Sequence, residues 1–139
     1  MNISLASQIR SIACCADIAE YRSEVGSSLI ISFQYMFTDK IRNVHMRIEE
    51  DSACLSIMIA EGLSSFYIGL INLCRPRLHL PHLRIEIDDY DEDLYAVHSF
   101  DTQHDIIDQL ALFINEFESK LLLLQNILSP QGEYSDEAV

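Results

Sequence analysis

The sequence predicts an α+β domain with the element order α-β-β-β-α-β-β-α, a mostly antiparallel five-stranded sheet packed with helices. Three observations predict it. Short runs with two-residue alternation, at 29–36, 44–48 and 54–60, are joined by polar turns. Two stretches, 63–74 and 104–128, carry apolar residues at helical spacing. The strands come in groups separated by helices rather than alternating with them one for one, which favours an antiparallel meander over a parallel sheet.

The first helix is expected over 2–20. Leu5, Ile9, Ile12, Ala13 and Ala16 mark a narrow face, with Asn2 or Ser4 as cap. Residues 21–28 are mostly polar, carry Gly26 and read as a loop. In the first strand Leu29, Ile31, Phe33 and Tyr35 share one face and Ile30, Ser32, Gln34 and Met36 the other. After a turn at 38–43, Val44, Met46 and Ile48 alternate with His45, Arg47 and Glu49. An acidic turn at 49–52 leads to a third strand, with Leu55, Ile57 and Ile59 on its apolar face.

Gly62 ends that strand, and Ser64 or Ser65 caps the next helix. Leu63, Phe66, Tyr67, Leu70, Ile71 and Cys74 follow amphipathic spacing, and Pro76 is expected to stop the helix. Pro76 and Pro81 make 76–82 an extended link. Leu83, Ile85 and Ile87 mark a fourth strand, and Leu94, Ala96 and His98 a fifth. Asp101 or Thr102 then caps a long helix. In it Leu110, Ile114, Phe117, Leu121, Leu124 and Leu128 form one stripe, either a coiled-coil seam or the cover of the sheet. Leu122 and Leu123 lie beyond that stripe and mark apolar surface left for another contact. The domain is expected to span 1–128, with a disordered tail at 129–139.

With 139 residues, 49% of them hydrophobic, the chain is long enough for one core without a metal or disulfide staple. Its formal net charge of −13 argues against nucleic acid and anionic membrane as partners. The longest apolar runs fall short of a membrane span, and no signal-peptide pattern is seen. The four cysteines lack secretory spacing and read as reduced thiols, so the expected location is cytoplasmic.

No catalytic constellation emerges, and no enzyme activity, cofactor or metal is expected. The run Asp88-Asp89-Tyr90-Asp91-Glu92-Asp93 lacks the glycine and terminal glutamate of an EF-hand loop and reads as a solvated hairpin turn. Cys74, His79 and His82 are metal-ligand types, but zinc needs a fourth ligand, and Cys74 is explained as a helix position. Cys14 and Cys15 are treated as small helix residues rather than a thiol switch, their role otherwise open. What remains is surplus apolar surface, on both faces of 29–36 and around 121–124, which points to association with a protein.

The order of elements resembles the class I type III secretion chaperones of bacteria. The opening Ile3-Ser4-Leu5-Ala6-Ser7-Gln8-Ile9-Arg10-Ser11 is similar to that family's amphipathic first helix. The strands at 29–36, 44–48 and 54–60 and the two later helices fall in matching order. The resemblance implies a non-enzymatic homodimer that holds the extended segment of a secreted effector for export. By element it places client-binding residues at Ile9, Ile12, Leu29, Ile31 and Phe33, and the dimer contact at Phe66, Tyr67, Leu70 and Ile71. Asn72 and the strand–acidic turn–strand at 83–97 are also similar to the YbjN-like bacterial proteins, which implies a regulatory or stress-related alternative. A small metal-binding protein is the third reading.

Overall fold

The computed structural model describes residues 5–11, 15–22 and 28–128. In chain order these form α1 (Leu5–Arg10), β1 (Cys15–Arg22), β2 (Leu29–Met36), β3 (Ile41–Ile48), β4 (Ser52–Ala60), α2 (Ser65–Leu78), β5 (Arg84–Ile87), β6 (Leu94–Asp101) and α3 (Ile106–Leu128). The strands make one open antiparallel sheet of six, in the order β1-β2-β3-β4-β6-β5. The fold class is α+β.

Two-residue alternation decides which face of the sheet is covered. Ile31 and Phe33 of β2, Val44 and Met46 of β3, Leu55 and Ile57 of β4, and Leu94 and Ala96 of β6 are all at or near zero exposure. They meet Leu110, Phe113, Phe117 and Leu124 from α3, which are equally buried. Each such side chain taken fully out of water contributes about 1.5–3 kcal/mol. Phe37, just past β2, sets its ring edge-on against Phe117 at 5.0 Å and joins the sheet to the helix. The stripe of α3 is therefore a sheet cover, not a coiled-coil seam within this chain.

Three expectations need correction. The helix over 2–20 is a helix of six residues, and its expected second half contains an edge strand, β1, so the sheet has six strands rather than five. In 15–22 the alternation wins: Ala19 and Tyr21 pair with Ser32 and Ile30, facing outward with them. A register shift between Ala16 and Ala19, with Asp17 at φ 53°, bends the strand. Residues 12–14 and 129–139, with Ile12, Cys14 and the expected tail, lie outside the described residues. Finally, α2 continues through Pro76 to Leu78. Leu78 is fully buried and anchors the last turn, and the His79 N–H closes on the Arg75 carbonyl at 3.2 Å. Core packing outweighs the proline's missing donor.

Candidate protein-binding surfaces

The residues expected to meet a client are placed in the core. Ile9 and Ile31 have no exposure and Phe33 has 1%. Leu29 is half-buried. In this conformation they line no open groove, because odd-numbered positions of β2 point under α3 while Ile9 from α1 joins the same cluster. Ile9, Ile31 and Phe33, expected to meet a client, are buried among this chain's own residues.

The helix expected to form a dimer contact presents a different face. Ile71 is fully buried and Tyr67 and Leu70 are half-buried, whereas Phe66 is 63% exposed and Leu73 79%. Phe66, Gly69, Leu73 and Pro76 fall at steps of three, four and three and are all exposed. Leu73, which the expected contact set leaves out, is more exposed than Phe66, which it includes. Nothing lies within 4 Å of where a Cβ on Gly69 would stand. A mid-helix glycine costs about 1 kcal/mol against alanine, and among the described residues no close approach accounts for it. The helix SFYIGLINLCRPRL holds no acidic residue.

A third surface is the outer face of the sheet, which no helix among the described residues covers. Tyr21, Met36, Ile41 and Met58 are large apolar side chains exposed on it or at its margins. Two hollows open there, of about 480 Å³ and 300 Å³, sharing His45. His45 Nδ1 is 2.8 Å from the Ser32 hydroxyl on the neighbouring strand.

Several polar groups elsewhere are bound into the fold. Between α3 and the turn before β5, Glu116 accepts two hydrogen bonds from His82. His98 is buried between Phe100 and Phe113, with its Nε2 at 2.7 Å from Gln109 Oε1. Asp39 pairs with Arg42, whose side chain is 8% exposed and whose guanidinium lies 5.6 Å from the ring centre of Phe117. Burial raises the Asp39 pKa. Arg42, the Lys40 N–H and Gln125 outweigh that and hold it below the ordinary value. Tyr95 is pushed up, by burial and then by the carboxylates of Asp93, Asp88, Asp91 and Glu61.

Comparison of the chain with protein-family models, curated proteins and solved structures finds no match.

Cys74, His79 and His82 do not converge. His79 Nε2 is 3.4 Å from the Ile85 carbonyl and His82 is engaged by Glu116. Among the described residues, the cluster of metal-ligand types is Asp88, Asp91 and Asp93 in the turn joining β5 to β6. Its carboxylates serve that turn: Asp88 accepts from the Asp91 N–H at 3.0 Å, and Asp93 from the Gly62 N–H at 2.8 Å. No described helix is long and apolar enough to cross a membrane.

Proposed function

We propose that the chain is a non-enzymatic protein-binding chaperone of the type III secretion kind, working in the bacterial cytoplasm as a homodimer. It would hold an extended segment of a secreted effector in soluble form. The observation that carries this reading is the exposed stripe Phe66, Gly69, Leu73 and Pro76 on α2. Two chains of net charge −13 repel each other, so a contact between copies needs a surface without carboxylates. The α2 face meets that condition, and Gly69 lets a second helix approach its backbone. The long α3 over an antiparallel sheet is further support, though β1 adds a strand to the order that the resemblance implies.

Sedimentation of the full chain with Leu73→Asp tests the dimer. Loss of one buried leucine from each of two copies weakens it by about 3 kcal/mol, or about a hundredfold. A monomeric wild type would remove the dimer. A dimer alone fits the YbjN-like reading equally well. Co-expression with an effector encoded beside this gene discriminates: a complex that survives gel filtration supports the chaperone, and its absence argues against it.

A further inference from the structure

We propose that the uncovered face of β2, β3 and β4 is a docking surface for an extended, apolar partner segment that carries carboxylates. The proposal rests on the protein-binding reading above and states the chemistry of the segment bound.

In a sheet covered on one side, the other side normally reads as polar. Here every one of the three strands turns an apolar residue outward: Ile30 and Met36, Ile41, and Met58. The charge pattern is sharper still. The chain holds 22 acidic residues, yet no outward position of β2, β3 or β4 is a carboxylate. Glu61, just past β4, is the one carboxylate that lines the larger hollow. Arg47 lines the smaller hollow beside Tyr21, Ile30 and Cys54, and Lys40 lines the larger one. Among the described residues neither side chain has an ion-pair partner. Two cations flanking an apolar strip fit an occupant that is apolar between two carboxylates. Lys40 sits just before β3 and Arg47 near its end, about 23 Å on at strand rise; because side chains alternate, two carboxylates on one face of an extended segment that spans this distance are about six or eight residues apart.

The same features oppose the other occupants. A second copy laid face to face brings Arg47 and Lys40 to a surface with no carboxylate on its strands. A basic segment meets like charge. The net charge of −13 is thus a poor guide to the client, because this surface has the opposite local balance.

The probe is a fluorescent peptide of alternating valine and serine with two glutamates about six or eight residues apart on its serine face, compared with its lysine counterpart. Anisotropy with the full chain is expected to show the lysine peptide binding at least about tenfold more weakly, a gap that added salt narrows. Arg47→Glu is expected to abolish or reverse the preference, with Lys40→Glu as a second exposed substitution. The bound acidic peptide is expected to slow alkylation of Cys54, which lines the smaller hollow, and to leave that of Cys74 unchanged. Equal binding of both peptides, binding of neither, or indifference to both substitutions overturns the proposal. A wild-type dimer split by Met58→Glu makes the face a contact between copies and also overturns it. Effector capture unimpaired by Arg47→Glu removes this surface while keeping the chaperone. Binding of the acidic peptide without effector capture keeps the surface and removes the chaperone.

Discussion

Two hydrogen bonds of 2.7 Å tie His82 to Glu116: the backbone N–H meets Oε1 and the ring Nδ1 meets Oε2. His82 belongs to the turn between the bridge partners Leu80 and Leu83, and Glu116 to the middle of α3. One carboxylate therefore clamps the entry of β5 onto the helix that covers the sheet. Glu116→Ala removes both acceptors and leaves a partly buried N–H and ring nitrogen unpaired, at a cost of about 1–3 kcal/mol. Glu116→Gln keeps an oxygen for the N–H and is expected to lose about half as much. Urea unfolding measures both. Equal stability of all three chains would show that water replaces the clamp without loss.

The Asp39–Arg42 pair sets a pH dependence. The carboxylate is 15% exposed and lies 2.7 Å from Arg42 Nη2, with the Lys40 N–H donating at 2.8 Å. Its pKa is lowered in the folded chain, so the stabilisation is present above the ordinary value of 3.8 and is lost as pH falls through the lower folded value. Asp39→Asn leaves the Arg42 charge without its partner while Arg42 Nε is already unpaired. The substitution is expected to cost about 2 kcal/mol at about pH 7. The difference from wild type should shrink at about pH 3, below the ordinary value at which the unfolded chain takes up its proton. Urea midpoints at the two pH values check this, and a constant difference would contradict it.

Neighbouring isoleucines of β2 separate core from surface. Ile31 is wholly buried beneath α3, whereas Ile30 faces outward, paired with Tyr21 and Arg47. Ile31→Asp puts an unpaired charge in the core and is expected to cost more than about 4 kcal/mol, leaving no cooperative unfolding transition. Ile30→Asp is expected to fold, with a loss of less than about 1.5 kcal/mol, because its carboxylate stays near Arg47 and water. Thermal unfolding followed by circular dichroism distinguishes them. Similar behaviour of the two chains would mean that the register of β2 is wrong.

The strands and α3 were legible because their periods are unambiguous: 29–36 alternates by two, and the α3 stripe recurs by three and four. Residues 15–22 were not, because Ala16, Ile18 and Ala19 suit a helix as readily as a strand and only pairing with β2 decides. Pro76 misled because a local rule met a buried Leu78. The candidate binding surfaces are less legible for a different reason. When both faces of a strand carry apolar residues, alternation separates the faces but does not say which is covered. By sequence Ile31 and Phe33 look as available as Ile30, and only the register of the sheet assigns the acid-free strand positions to the outer face. On α2, Ile71 and Leu73 are two residues apart and lie on opposite sides.

The β5 edge supplies a last prediction. Arg75 Nη1 donates to the outward carbonyl of Ile85, His79 Nε2 is near the same oxygen at 3.4 Å, and Arg75 Nη2 is held by Asn72 Oδ1 at 2.8 Å. The last turns of α2 therefore close the edge that β5 would otherwise offer to another strand, as edge strands require. Arg75→Ala opens that carbonyl and frees the end of the helix. The unfolding free energy is expected to fall by about 1–2 kcal/mol. Light scattering on warming should begin at a lower temperature and lower protein concentration, with amide bands of intermolecular sheet. Arg75→Lys keeps the charge but not the two-pronged reach, so it is expected to fall between the two. If Arg75→Ala lowers stability without any increase in association, the guanidinium only anchors α2, and the edge is protected by the shortness of β5.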